Sequence, residues 1–342
     1  MQIYENISLK PFNTFGTEAH ARFFTEALSP EQMGQAIEFS QKEQHPFLIL
    51  GGGSNVLFVN DFEGVVIKNS SKGISVQDET EEHVLIKAAG GESWPEFVDH
   101  CVEHGWSGIE NLSLIPGTVG AAPVQNIGAY GTEIKEVVKY VEVLDAQTGD
   151  LRKLTNAECA FSYRSSIFKT TYKNRYIVTS VIFELHKKFT PNLTYKPLKE
   201  VFASTDPRDI TIREVSEAVK AIRRSKLPDP GEAGNAGSFF KNPVITEKQL
   251  ETIWHQHKNV PFYDLDNGLF KLAAGWLIEK AGWKGKRLGD AGVHEKQALV
   301  LVNYGKATGR EILDLANRIK DSVLEKFGVQ LEFEVNIVGR SS

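Results

Sequence analysis

The segment from Gly108 to Ile134, GIENLSLIPGTVGAAPVQNIGAYGTEI, constrains this chain more than any other stretch. It carries glycine at 108, 117, 120, 128 and 131, proline at 116 and 123, and charge only at Glu110 and Glu133. A surface loop is ordinarily polar; this one is small, apolar and nearly uncharged. Glycine permits positive φ and close approach of the backbone to another group, while proline fixes φ and removes a donor. Long irregular segments in compact domains are usually functional. Two readings fit the segment: a loop pressing main-chain N–H groups against a bulky, partly anionic ligand, as phosphate-cradling loops do, or a buried, tightly turned connection with no ligand.

Length and charge narrow the setting. At 342 residues the chain exceeds one ordinary core, so two or three domains are expected. Net charge is −5 with no long run of like charges, which disfavours nucleic acid or an anionic membrane as the main partner. Cys101 and Cys159 are too few for a disulfide framework or a thiolate metal site. The N-terminal MQIYENISLKPFNTF has no basic region followed by an apolar run, as a signal peptide would. No apolar stretch approaches the ~18 residues of a membrane span. The expectation is a soluble, cytoplasmic protein in a reducing compartment, with nothing that calls for more than a monomer.

Residues 1 to about 70 read as a small α/β unit. Ser29-Pro30 suits a helix start, Phe47–Leu50 reads as a strand, and Gly51-Gly52-Gly53-Ser54-Asn55 follows before Val56–Val59 and Val65–Ile67. Gly51 and Gly53 share the first spacing of the dinucleotide fingerprint, but Val56 occupies the third glycine position and no clear helix follows, so a plain turn is an equal reading. Residues 71–225 are mostly β: His83–Ala89, a hairpin of Val137–Leu144 with Leu151–Leu154, and Tyr176–Leu185. Ser93-Trp94-Pro95-Glu96 reads as a capping box, with Cys101 on the core face of the helix behind it. Further boxes start helices at Thr211, Thr246 and Thr308. Pro228-Asp229-Pro230-Gly231 marks a linker. Beyond it, Lys271–Ala281 reads as a helix closed by Gly282, and Leu331, Phe333, Val335 and Ile337 alternate with Glu332, Glu334 and Asn336 as a half-buried strand.

Several chemistries find no support. There is no HExxH pattern, no G-x-S-x-G elbow and no GK[ST] after Gly51–Gly53, and no metal is expected. Two glycine-rich loops in β-rich sequence remain. A cofactor with a diphosphate and a large flat ring explains both: backbone donors serve the diphosphate and small apolar residues flank the ring. That points to a flavin dinucleotide held in a non-Rossmann way.

The motifs NTFG at 13–16, ILGGGSN at 49–55, the 108–134 segment, SYRSSIFK at 162–169, AGSFFKNP at 236–243, AGWLIEKAGWKG at 274–285, VHEKQALVLVN at 293–303 and LEFEV at 331–335 resemble, in order and over nearly the whole chain, the UDP-N-acetylenolpyruvoylglucosamine reductase (MurB) family of bacterial cell-wall synthesis. Tyr195-Lys196-Pro197-Leu198 resembles the tyrosine-bearing loop of that family's longer form. The resemblance implies an α+β protein: an FAD-binding domain of the vanillyl-alcohol-oxidase (PCMH) type in two subdomains, 1–70 and 71–227, and a separate α/β substrate-binding domain, 228–330, with the C-terminal strand, 331–342, returning to the active site. It implies NADPH as co-substrate and reduction of an enolpyruvyl UDP-sugar to UDP-N-acetylmuramate, a peptidoglycan precursor.

By the same resemblance Arg164 supplies positive charge to a developing dianion, Ser238 donates the proton and Glu334 assists at the carboxylate. FAD falls to Gly51, Gly52, Gly53, Ser54, Asn55, Ile115, Pro116, Gly117, Thr118, Gly120, Ala121, Gly128 and Tyr130. No histidine or cysteine lies in those loops, so the cofactor is expected to be non-covalent. The UDP-sugar falls to Tyr195, Lys226, Asn242 and Gln297, with Arg223 as a secondary candidate. Bland alternatives stand beside these roles. Arg223 and Lys226 suit the C-terminus of a helix, Ser238 a turn, and periodicity alone does not separate Glu334 from Glu332. The family more usually has proline at 333 and arginine at 336, where this chain has Phe333 and Asn336. A flavin oxidase on the same fold and a catalytically silent UDP-sugar-binding protein are the competing functions.

Overall fold

The computed structural model describes residues 1–265 and 267–339. The chain forms two compact units, each assembled from separate stretches. The first takes 1–7, 21–52 and 63–225; the second takes 8–20, 53–62 and 226 onward.

The first unit contains two sheets. In one, the strand order is Tyr4–Ser8, His20–Ala27, Phe62–Asn69, Phe47–Leu50, the last two parallel. Helix Pro30–Lys42 starts where Ser29 accepts a hydrogen bond from the Gln32 N–H, and buries Met33, Ala36 and Ile37 against Val65 and Ile67. The other sheet is antiparallel, ordered Leu151–Thr155, Val138–Asp145, Tyr176–His186, His83–Ala89, Ile74–Glu79. Tyr176–His186 is central and buried along nearly its whole length, which is why its sequence is almost continuously apolar. Helix Trp94–Glu103 covers this sheet, packing Trp94 and Phe97 on Phe183 with ring centroids 6.0 and 4.9 Å away. Cys101 lies fully buried in that core, and burial pushes its thiol well above the usual range. The expected box at Ser93 does not form: its side chain makes no cap, and the Trp94 N–H is taken by the Gly117 carbonyl at 3.0 Å.

The second unit holds a sheet ordered Gly234–Ser238, Val300–Asn303, Ala291–Val293, Arg287–Leu288, a three-stranded sheet ordered Val244–Thr246, Leu269–Leu272, Phe262–Asp264, and a parallel pair, Asn336–Val338 with Val56–Phe58. Helix Gly309–Phe327 is capped reciprocally by Thr308 and Glu311, ends at Gly328 with φ +65°, and buries Ile312, Leu315, Ile319 and Val323. Thr246 and Gln249 cap helix Glu247–Gln256 in the same way.

Two expected boundaries are corrected. Lys271 and Leu272 end a strand paired on both sides, so the helix there spans only Ala274–Lys280. Among the described residues, regular strand near the C-terminus is confined to Asn336–Val338, with a single bridge at Phe333 upstream; positions 340–342 of the expected strand lie outside the described residues. The alternation survives in burial: Leu331 and Val335 are buried, Glu332 and Asn336 exposed.

The hairpin after Val138–Asp145 is held by one carboxylate. Asp145 is fully buried and accepts from Arg175 Nε at 3.2 Å, Arg175 Nη2 at 3.0 Å and the Gln147 N–H at 3.1 Å. The Arg175 hydrogen bonds hold its carboxyl below the usual carboxylate range. A depressed folded-state value means that the stabilisation is complete above the unfolded pKa, about 3.9, and is lost as pH falls through the folded value. Asp145→Asn is therefore expected to lower the urea midpoint at pH 7, and the gap from the parent protein is expected to narrow below about pH 4. A gap independent of pH would assign the loss to shape rather than charge.

Candidate active site

The first unit brings three glycine-bearing segments together. A Cβ at Gly52 would lie 3.1 Å from Gly117 Cα, one at Gly120 2.9 Å from Gly90 Cα, and one at Gly51 2.5 Å from Thr118 Oγ1. Backbone packs on backbone at Gly52 and Gly120, and at Gly51 the neighbour is the Thr118 side chain; glycine suits all three positions. Gly120 N–H donates to Gly90 O at 2.8 Å, Val119 N–H donates to Glu92 O at 2.9 Å, and Ser93 bridges Thr118. The loop thus has two sides. Leu112, Val119 and Ala122 face the core around Trp94, whose Nε1 donates to Leu112 O at 3.0 Å. Pro116 and Ala121 face outward, exposed. Among the described residues, the buried Thr118 hydroxyl has no hydrogen-bond partner. A buried hydroxyl without a partner, beside glycines on which no side chain fits and an outer face of small apolar residues, suits a dinucleotide with a flat ring.

Arg164 sits in a tight turn in which Ser162 and Ser165 exchange N–H···O bonds at 3.0 and 3.1 Å. Its φ is +53°, a region costly for a residue with a Cβ and typical of functional sites. The guanidinium donates through Nη2 to Gly128 O at 2.9 Å, so Arg164 is anchored on the expected cofactor loop. Asn126 fixes the same corner, donating to Glu133 Oε2 at 3.0 Å and Ser162 O at 3.1 Å.

Tyr130, also at positive φ, meets Tyr195 edge-on with centroids 5.0 Å apart. Arg223 donates from Nε to Leu114 O at 3.1 Å. Burial lowers the Arg223 pKa and raises that of Tyr130, each opposed by the other's presence. Arg223 therefore braces the loop that holds Tyr130 and Leu114, a role its position on helix Ile212–Lys226 did not reveal. Lys226 is that helix's last residue.

In the second unit Ser238 ends strand Gly234–Ser238, opposite Val300, just after a register shift that re-aims the strand. The next residues pair with the C-terminal segment: Glu334 N–H donates to Phe239 O at 2.8 Å and Lys241 N–H to Glu332 O at 2.9 Å. The backbone of Glu334 is thus joined directly to the residue after Ser238. Glu332 points elsewhere, 72% exposed and ion-paired with Lys241 at 2.8 Å. Asn242 Oδ1 accepts from Ala274 N–H at 2.9 Å, at the start of helix Ala274–Lys280. Gln297 Oε1 comes to the same turn, 3.2 Å from where a Cβ at Gly275 would sit. Phe239 N–H donates to Leu299 O at 2.8 Å, two residues beyond Gln297. Ser238, Asn242, Gln297 and Glu334 are therefore on neighbouring segments of the second unit, which also holds Gly53, Ser54 and Asn55; Arg164, Tyr130, Tyr195 and the 115–121 residues belong to the first.

Gly90-Gly91, directly after the strand His83–Ala89, underlies the cradle. Glu110, one of the two acids of the apolar 108–134 segment, is buried, accepts the Gly108 N–H at 2.7 Å and is pushed up in pKa by burial; its signal in the sequence is its isolation among apolar residues.

Comparison with known proteins completes the description. Residues 21–155 match the model of an FAD binding domain, and residues 229–338 match that of the UDP-N-acetylenolpyruvoylglucosamine reductase C-terminal domain. The chain is 49% identical over 337 residues to the UDP-N-acetylenolpyruvoylglucosamine reductase of Pseudomonas syringae pv. syringae, covering 98% of this chain and 99% of that one. It is 47% identical to the Amoebophilus asiaticus protein of the same name, over 99% and 100% of the two chains. The crystal structure of the Thermus caldophilus UDP-N-acetylenolpyruvylglucosamine reductase shares the fold with a TM-score of 0.69, 24% identity, and coverage of 98% and 99%.

The partnerless hydroxyl gives a direct test. Thr118→Val keeps the shape and removes the oxygen. The FAD-free protein is expected to melt no lower than the parent, because no protein hydrogen bond is lost, while FAD binding weakens by about 0.5–1.5 kcal/mol. Flavin fluorescence titration and thermal melts of the FAD-free protein check both; an unchanged FAD affinity removes Thr118 from the cofactor site.

Proposed function

The chain belongs to the UDP-N-acetylenolpyruvoylglucosamine reductase family, and we propose that it reduces the enolpyruvyl group of UDP-N-acetyl-3-O-(1-carboxyvinyl)-glucosamine to UDP-N-acetylmuramate, with NADPH as reductant and FAD bound non-covalently. The product feeds peptidoglycan synthesis. When bound, FAD is the hydride carrier between NADPH and the sugar. Functionally the chain divides into two FAD-binding subdomains, 1–70 and 71–227, and a substrate-binding region, 228–330, a division supported by the matched spans 21–155 and 229–338. No helix among the described residues is long and apolar enough to cross a membrane. We assign the activity to a monomer in the cytoplasm, in keeping with a net charge of −5 and the soluble substrate.

Hydride addition at the terminal vinyl carbon leaves negative charge on the carbon beside the carboxylate. That dianionic state needs fixed positive charge and a proton source. Arg164 supplies the charge. Its guanidinium is already oriented by Gly128 O, so little is lost in ordering it. The Ser238 hydroxyl gives its proton to the carbon; a hydroxyl is a weak acid, but a carbanion-like carbon is a very strong base. Glu334 assists at the carboxylate end. The observation that carries this reading is the 2.8 Å hydrogen bond from Glu334 N–H to Phe239 O, which couples the proposed acid to the backbone bearing Ser238. Tyr195, Lys226, Asn242 and Gln297 bind the nucleotide sugar, with Lys226 on the diphosphate and Arg223 bracing from behind. Tyr195 closes over the nucleotide. Gly51 to Asn55, Ile115 to Thr118, Gly120, Ala121, Gly128 and Tyr130 hold FAD.

An anaerobic absorbance titration tests the function in order: bound flavin, bleaching by NADPH, and reoxidation by the UDP-sugar. Bleached flavin that only oxygen reoxidises would favour an oxidase instead. Ser238→Ala is expected to keep bleaching by NADPH while reoxidation by the UDP-sugar slows by roughly 10²–10⁴-fold, since the donor acts only in the second half-reaction. Equal loss in both half-reactions would remove Ser238 from the chemistry. Lys226→Ala is expected to weaken UDP-sugar binding by roughly 1–3 kcal/mol, read by calorimetry; an unchanged affinity returns Lys226 to helix capping.

A further inference from the structure

Glu334 is held through its backbone from two directions. Its N–H donates to Phe239 O at 2.8 Å. Its carbonyl accepts from Asn55 Nδ2 at 3.4 Å. Asn55 is itself the last residue of the Gly51–Asn55 loop, and its own carbonyl is held twice: by the Asn336 N–H at 3.1 Å and by the Asn336 side-chain amide at 3.0 Å. Beyond this point the chain runs parallel to Val56–Phe58, with Asn336 opposite Val56 and Ile337 opposite Leu57. On the other side of Glu334, Phe333 is wedged against Phe239 and Phe240 at 5.4 and 5.7 Å, with Lys320 Nζ 4.6 Å from its ring centroid.

Two flanking residues, Phe333 and Asn336, therefore fix the short stretch that carries Glu334. Phe333 locks the segment to the Ser238 strand by packing, and Asn336 locks it to the glycine loop by hydrogen bonds. We propose that Asn336 is a positioning residue for the reduction: by clamping Asn55, whose side chain grips the Glu334 carbonyl, it sets the direction in which the Glu334 carboxylate leaves the chain. The inference rests on the reading that Glu334 acts at the substrate's carboxylate. The hydrogen bonds that Asn336 donates both go to Asn55. Its exposed position and polar side chain suit a solvated strand end, which is how its sequence alone reads. What distinguishes it is that both of its donors converge on a single oxygen. Removing the side-chain donor leaves the backbone donor and the strand pairing in place, so the segment stays docked while the Asn55 carbonyl keeps one of the two Asn336 hydrogen bonds.

The test is a kinetic double-mutant cycle on the holoenzyme, following the flavin absorbance. Asn336→Ala is expected to leave bleaching by NADPH within about twofold of the parent while reoxidation by the enolpyruvyl UDP-sugar slows roughly tenfold, the scale of a small misplacement of a reacting group. Asn336→Asp, of the same shape but with an acceptor in place of the amide donor, is expected to behave alike and serves if the alanine variant does not fold. In a Glu334→Gln background either change is expected to cost less than about twofold further, because a misdirected group that has already been disabled cannot be disabled again. Equal slowing of both half-reactions, or full additivity with Glu334→Gln, overturns the positioning role. If Glu334→Gln alone leaves reoxidation at the parent rate, the reading of Glu334 fails first and takes this inference with it. If Glu334→Gln slows reoxidation but neither Asn336 variant does, only the inference fails.

Discussion

The first unit depends on the contact of bare backbone with bare backbone. Gly52 lies against Gly117, and Gly120 against Gly90, at distances where any Cβ would meet main-chain atoms. A contact of that kind cannot be relieved by a rotamer change, because the obstructing atoms belong to the chain itself. It forces the 110–121 segment to lie along the 90–94 turn, where the Trp94 N–H donates to Gly117 O and Ser93 pairs with Thr118. From there the consequences are local. The apolar side chains that point inward join the Trp94 core. Those that point outward, Pro116 and Ala121, make a surface with no charge to repel a flat ring. Arg164 is oriented by the carbonyl of another glycine in the same run, Gly128.

Much of this was legible in the sequence, for a definable reason. The 108–134 segment announces itself by lacking what surface loops have, and a lack of charge over so long a stretch is a local property. Capping boxes at Thr246 and Thr308 were legible because both partners lie within one turn. The Ser93 box is absent although its local pattern is as good; Ser93 is instead paired in a bridge with Thr118, a residue remote in sequence. Lys271 and Leu272 failed in the same way: their helical spacing is overruled by strands on both sides.

The choice between Glu332 and Glu334 shows the limit most clearly. Both sit on the polar side of an alternating pattern, and periodicity has no further information to give. Pairing with residues 239–241 separates them. Glu332 is carried to an exposed ion pair with Lys241, and Glu334 to the segment that follows Ser238. The family resemblance points to Glu334 by motif, and the long-range ladder gives the two acids different surroundings.

The same ladder accounts for Phe333, where the family more usually has proline. The bridge pairs Phe240 with Phe333, but its two hydrogen bonds are made by the neighbours, Glu334 N–H to Phe239 O and Lys241 N–H to Glu332 O. Position 333 is thus in a non-hydrogen-bonded pair, and its N–H is no part of the ladder. Proline there forfeits no ladder bond, and phenylalanine restores none. In such pairs the side chains approach more closely, so an aromatic ring can take over by packing on Phe239 and Phe240 what proline does by stiffening the chain. Either residue restrains the backbone just before Glu334 without taking a bond from this ladder. With Asn336 on the other flank, this chain holds the stretch that carries Glu334 by aromatic packing and by a doubly held Asn55 carbonyl.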